Sequence, residues 1–184
     1  NRIIGRRTAI VQEDPGVTRD RKTLSADWSG REFLVVDTGG WIAPNAASGE
    51  SRELVRQVTA QTERAITEAD VLVCVVDVTV GVTDEDEAVA RILRRSGKPV
   101  LLAANKVDGR NREIDAWGFV ALGLGDPFPV SANHGRGTGE LLDAVVAAMP
   151  VLVDVDESAD DIFSVAIAGR PNVGKSTLFN RIIG

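Results

Sequence analysis

Residues 169–176 read Gly-Arg-Pro-Asn-Val-Gly-Lys-Ser, a full match to the spacing G-x-x-x-x-G-K-[ST]. Glycines at both ends of such a loop let backbone N–H groups, here of Asn172, Val173, Gly174, Lys175, Ser176 and Thr177, converge on phosphate oxygens. A helix starting at the loop adds the positive end of its dipole. Lys175 is placed to reach the outer phosphates of a bound nucleotide, and the Ser176 hydroxyl to bind Mg²⁺. A strand-like run, Phe163 to Ala168, enters the loop, and a helix-like stretch from Gly174 to Ile183 leaves it. That is the context the motif needs. A glycine-rich turn with an exposed lysine is the plainer account, and the complete motif in this context makes it the weaker one.

Three further groups carry chemistry at strand ends or in loops. Asn105-Lys106-Val107-Asp108 follows an apolar run. The Asp108 carboxylate can accept two hydrogen bonds from the N1–H and 2-amino groups of guanine, donors that adenine lacks. Asn105 would tie the loop together, and the Lys106 stem would cover the base. Ser131-Ala132, after the next strand, offers a backbone N–H to the guanine oxygen. Asp37-Thr38-Gly39-Gly40 closes another strand: Asp37 can hold Mg²⁺ through a water, and the Gly40 N–H can sense a terminal phosphate. Thr18, in Pro-Gly-Val-Thr-Arg-Asp (15–20), is the candidate hydroxyl that closes over the metal. Each short motif is weak alone. Together they point to a guanine-nucleotide switch.

The elements that must hold these groups follow from hydrophobic periodicity. Strands are expected at 33–37, 71–77, 99–105, 128–131 and 163–168, with 23–29 joined to 33–37 through Gly30 as an antiparallel edge pair. Helices are expected at 51–68, 84–95, about 112–122, 138–149 and 174–183, the second starting at Asp84 with Glu87 three residues on. Apolar runs ending in polar residues suit buried parallel strands, so the alternation predicts an α/β doubly wound sheet with helices on both faces. Residues 6–22 and 38–49 read as loops, and 151–161, with five acidic residues and no basic one, as part of an exposed linker.

The composition sets outer bounds. An apolar content of 43% with 26% charged residues suits a soluble fold with a sizeable core, and a net charge of −6 draws the chain neither to nucleic acid nor to an anionic membrane. The longest apolar run, 144–153 with Pro150 counted, is far short of a membrane span. The lone Cys74 allows no internal disulfide, which predicts a reducing, cytoplasmic setting. His134, the one histidine, reads as a surface or turn residue.

Taken together, the segments 15–20, 37–40, 68–71, 97–100, 105–108, 122–127 (Leu-Gly-Leu-Gly-Asp-Pro) and 131–137 (Ser-Ala-Asn-His-Gly-Arg-Gly) resemble the Era and Der (EngA) family of translation-factor-class GTPases. The resemblance runs over residues 6–149 and is closest to the first G domain of Der. It implies a P-loop NTPase G domain with GTP or GDP as ligand and Mg²⁺ as cofactor. In the intact parent it implies tandem G domains, a KH-like domain and a role on the large ribosomal subunit, with no membrane partner. Trp41 occupies the position where many G domains carry a water-orienting glutamine, so slow GTP hydrolysis is expected. The resemblance also gives Asn172 a part in binding K⁺, with K⁺-stimulated turnover, so that Lys175, Thr18, Gly40 and Asn172 form the candidate catalytic set.

One feature departs from the family: the phosphate loop comes last, and Asn-Arg-Ile-Ile-Gly occurs at both 1–5 and 180–184. The favoured expectation is a circularly permuted single G domain over 1–184, in which 150–162 links 6–149 to a completing segment, 163–184. The resemblance implies that this segment's strand is central, flanked by 33–37 and 71–77. The linker spans up to about 40 Å when extended, enough to cross a domain. A fragment covering parts of two tandem G domains is the alternative. Monomer and domain-swapped oligomer are both compatible with such pairing. A nucleotide-binding module without turnover is the competing function.

Overall fold

In the computed structural model, residues 22–39, 51–150 and 162–183 are described, with the side chains of Lys22 and 51–58 left aside. Thr18, Gly40, Trp41 and most of the acidic linker therefore lie outside the described residues.

β1 (Lys22–Trp28) and β2 (Arg31–Asp37) form an antiparallel pair at one edge of the sheet. Their two-residue connection, Ser29 and Gly30, has φ of 54° and 76°. Two left-handed central residues match the twist of a hairpin, which is why a glycine stands there. β3 (Val71–Asp77), β4 (Val100–Asn105), β5 (Pro127–Pro129) and β6 (Phe163–Ala168) complete the sheet in parallel. The six strands lie in the order β1-β2-β6-β3-β4-β5.

β6, last in the chain, lies between β2 and β3, pairing Val35 with Val165 on one side and Val73 with Ile167 on the other. Residues 165–168 are wholly buried. Its entry is tied down by Asp70, whose carboxylate accepts from the Ser164 N–H at 2.7 Å while the Asp70 N–H donates to the Ser164 carbonyl at 2.8 Å. Arg31 adds a second fastening, its guanidinium 5.4 Å from the Phe163 ring centre and donating to the Pro150 carbonyl at 2.9 Å. Without β6, the facing edges of β2 and β3 would lose their ladder partners in the middle of the core.

Helices cover both faces. On one side, α1 (Ser51–Glu68), α2 (Asp84–Arg95) and a segment holding the short α3 (Glu113–Ala116) bury Ala65, Ile66, Val89, Leu93 and Phe119. On the other, α4 (Thr138–Ala148) and α5 (Lys175–Ile183) bury Leu141, Val145, Leu178 and Phe179. α1 has no basic residue in its last turn. Lys98, just before β4, supplies the missing cation, donating to the carbonyls of Thr67 and Ala69.

Two local expectations differ from the structure. The stretch expected as a helix over 112–122 holds only α3, between 3₁₀ turns at Arg110–Arg112 and Trp117–Leu122. Its buried residues, Ala116, Phe119 and Leu122, recur every third position, a period that suits three residues per turn. The second helix starts at Asp84 as expected, with Thr83 as its cap. The Thr83 hydroxyl accepts from the Asp86 N–H at 3.3 Å, and the Asp86 carboxylate accepts from the Thr83 N–H at 3.1 Å. The fifth strand runs Pro127–Pro129 rather than 128–131: the Val130 N–H still donates to the Ala104 carbonyl at 2.9 Å, but the Ser131 N–H turns away from β4 to the Arg136 carbonyl in the following loop.

Candidate functional site

The carboxyl ends of β6, β2, β3 and β4 deliver the candidate residues to one rim of the sheet. At the end of β6, Gly169 has φ 153°, and a Cβ there would lie 2.4 Å from the Val75 carbonyl oxygen. The chain can enter the loop only without a side chain at this point. Gly174, φ 95°, closes the loop, and a Cβ on it would sit 2.3 Å from Asn105 Nδ2. Between them Asn172 is exposed and also left-handed, with φ 64°. α5 starts directly behind, so the free N–H groups of its first turn open into the loop, with Ser176 and Thr177 exposed there.

Lys175 is buried, and its ammonium donates to the Arg170 carbonyl at 2.8 Å. Burial pushes this ammonium down to about 8, against the pull of the nearby Asp37 carboxylate. Asp37 itself is buried at the end of β2, and its Oδ1 has no hydrogen-bond partner. Next to it, the Thr38 hydroxyl donates to the Ile167 carbonyl at 2.8 Å, locking the end of β2 to β6. A buried, unpartnered carboxylate oxygen and an exposed hydroxyl at a helix start form a hard oxygen set. Such a set fits Mg²⁺, which takes few protein ligands and fills its sphere with phosphate oxygens and water. Accordingly, no cluster of three or more His, Cys, Asp or Glu among the described residues could hold a metal alone.

The base-side residues meet the phosphate loop through one side chain. Asn105, buried at the end of β4, donates from Nδ2 to the Val173 carbonyl at 2.8 Å and accepts at Oδ1 from the Ala132 N–H at 3.0 Å. One amide thus joins the phosphate loop, the Asn105–Asp108 segment and the Ser131–Ala132 loop. Asp108 is half-exposed, with Oδ1 accepting from the Ser131 hydroxyl at 2.7 Å. His134 is mostly exposed, with Nε2 3.9 Å from the same oxygen. Lys106 has φ 71°, and its ammonium lies 2.5 Å from Asp77 Oδ2. Burial alone would raise the Asp77 carboxyl, but the donors from Lys106 and Thr79 outweigh it and leave it below the usual range.

The structure thus brings Asp37, Asn105, Lys106, Asp108, Ser131, Ala132 and residues 172–177 to one rim. It also adds residues that motif reading missed. Asp77 ends β3 as Asp37 ends β2, a polar strand end that was available as a signal. Arg170 and Asp86 form a buried ion pair at 3.2 Å, joining the phosphate loop to the first turn of α2. Only the Thr83-x-x-Asp86 spacing hinted at Asp86.

The family described as 50S ribosome-binding GTPase matches residues 1–106 and 164–184. Among curated proteins, GTPase Der of Streptomyces coelicolor is 52% identical over 192 residues, covering 100% of this chain and 39% of that protein. GTPase Der of Salinispora tropica is 51% identical over 185 residues, covering 100% and 38%. GTPase Der of Mycobacterium leprae is 52% identical over 184 residues, covering 100% and 39%. The chain therefore spans about two fifths of the length of these relatives. Among solved structures, a point variant of Aquifex aeolicus Era bound to GDP·AlF₄⁻ superposes with a TM-score of 0.60 at 22% identity, over 79% of this chain and 49% of that one.

Proposed function

The chain belongs to the 50S ribosome-binding GTPase family, and from that premise we propose that its rim binds GTP and GDP with Mg²⁺ and hydrolyses GTP slowly, with stimulation by K⁺. The observation that carries this reading is the Asn105 amide, which holds the phosphate loop and the guanine-reading segment in one hydrogen-bonded unit.

Binding follows from the chain's own groups. The N–H groups of 172–177 surround the phosphates, and Lys175 leaves the Arg170 carbonyl to meet them. Asp108 accepts from guanine, and the Ala132 N–H, which donates to Asn105 Oδ1, is assigned to the guanine oxygen as a bond shared between the two acceptors. Ser176, Asp37 and Thr18 are the proposed holders of Mg²⁺, which when bound neutralises charge on the phosphate oxygens. Phosphoryl transfer then depends on positioning and charge rather than on a covalent partner. The Gly40 N–H is assigned to the terminal phosphate, and Asn172 to K⁺. Trp41 offers an indole N–H but no acceptor for a proton of the attacking water, which supports slow turnover and also favours the second reading, a nucleotide-binding module without hydrolysis.

The order of the motifs has two readings. Permutation of a single G domain is supported by β6 filling the slot between β2 and β3. The collinear matches to the longer Der relatives, over this chain's whole length, favour the other: a stretch joining parts of two tandem G domains. On that reading the second domain's phosphate-loop strand occupies the slot of the first domain's own. Large-subunit binding is proposed for the longer protein.

Titration of nucleotide-free protein with a fluorescent GDP analogue tests the binding. GTP and GDP are expected to displace the label and ATP to leave it bound; displacement by ATP would remove the role of Asp108. Single-turnover hydrolysis in matched KCl and NaCl is expected to run faster in KCl. Equal rates would remove the role of Asn172, and tight GDP binding without any turnover would select the binding module.

A further inference from the structure

We propose that Asp77 is a positioning residue of the base pocket: its buried carboxylate holds the Lys106 ammonium, fixes the lysine stem as the wall of the pocket, and so slows nucleotide release. The inference rests on the guanine-nucleotide reading above and adds to it a residue outside every motif.

Asp77 and Lys106 are brought together by the sheet. Asp77 is the register partner of Asn105 across the β3–β4 pair, and Lys106 follows immediately. Lys106 then turns into the left-handed region at φ 71°. A long side chain has no local reason to adopt that conformation, which is disfavoured and persists only when its surroundings enforce it. Backbone bonds hold both flanks: the Val78 N–H donates to the Asn105 carbonyl at 3.1 Å and the Val107 N–H to the Val130 carbonyl at 3.0 Å. The ion pair supplies the restraint on the side chain itself.

Both oxygens of Asp77 are committed. Oδ2 takes the Lys106 ammonium at 2.5 Å, while Oδ1 accepts from the Thr79 N–H at 2.9 Å and the Thr79 hydroxyl at 2.6 Å. Asp77 is 3% exposed, whereas the Lys106 side chain is 37% exposed. With its charge met at the buried end, Lys106 presents methylene groups rather than a free cation to its open side. An apolar stem suits the face of a planar base. A free ammonium in its place would stay hydrated and mobile and would compete for phosphate.

The test is the release rate of fluorescent GDP, chased with excess unlabelled GDP, from the wild type and variants. Asp77→Asn keeps shape and removes charge, and is expected to release about tenfold faster, within the usual range of coupling for contacting side chains. Lys106→Met keeps a stem but removes the held charge, and is expected to match it. Adding Asp77→Asn to Lys106→Met should produce no further acceleration. Thr79→Val removes a partner of Asp77 without touching the ammonium and should release at the wild-type rate. Wild-type release from Asp77→Asn or Lys106→Met would overturn the anchor, as would acceleration by Thr79→Val equal to that of Asp77→Asn. A further increase on combining the two variants would also overturn it, because Asp77 would then act by another route. Should Asp77→Asn fold poorly, Lys106→Met and Thr79→Val decide alone. A wild type that retains no labelled GDP would overturn the nucleotide reading, and this inference with it.

Discussion

Replacing Asp86 with alanine is expected to destabilise the protein by about 3–5 kcal/mol, the usual range when one partner of a buried ion pair is removed. Asp86 is 1% exposed, and its carboxylate serves two elements at once. It accepts from the Thr83 N–H and hydroxyl at 3.1 and 2.9 Å, closing the cap of α2. It also accepts from Arg170 Nε at 3.2 Å. Arg170 Nη2 is already buried without a partner, so the alanine variant would leave the guanidinium of this loop residue without its carboxylate. Urea unfolding should show a lower midpoint at constant slope. Adding Arg170→Met should recover much of the loss, since the stranded charge goes with it, and only the cap, about 1 kcal/mol, stays lost. A double variant no more stable than Asp86→Ala would show that capping, not the ion pair, dominates.

The second large effect is expected at Asn105. Asn105→Ala removes two bonds from a buried amide and strands the Val173 carbonyl and the Ala132 N–H. Unsatisfied buried groups cost about 1–3 kcal/mol each. The loss falls on the seam between phosphate loop and base loop, so GDP affinity should drop by roughly 100-fold, equivalent to about 2.7 kcal/mol. Calorimetric titration with GDP measures it. Asn105→Asp is a sharper comparison: it keeps an acceptor for Ala132 but sets a carboxylate against the Val173 carbonyl, and should bind at least as poorly. Affinity within a factor of about two of wild type in both variants, a difference under roughly half a kcal/mol, would show that the loops hold their places independently.

Legibility in the sequence followed the range of the interactions. The strand 163–168 and the helices 51–68 and 84–95 were readable to the residue, because each is a run of apolar residues at one period bounded by polar or turn residues. The region 112–122 was not, because the 3₁₀ and α-helical periods diverge too little over so short a stretch, and packing of Phe119 and Leu122 chose between them. The phosphate loop was legible in full, since its glycines answer to backbone geometry within one short segment. Gly169 and Gly174 also answer to distant neighbours, the Val75 carbonyl and the Asn105 amide, which no local pattern displays.

By itself, then, the amino-acid order determined the α/β alternation, the glycine-rich loop 169–176, the Asn105–Asp108 segment and the family resemblance, all of them properties of contiguous residues. The place of β6 between β2 and β3 follows the expectation from the resemblance, whereas only the tertiary structure decided that Asn105 joins two loops and that Asp77 and Asp86 hold Lys106 and Arg170. The side-chain partners among these are separated by 27 to 84 positions. Contacts of that span arise from strand register and burial, which act only once the sheet has formed.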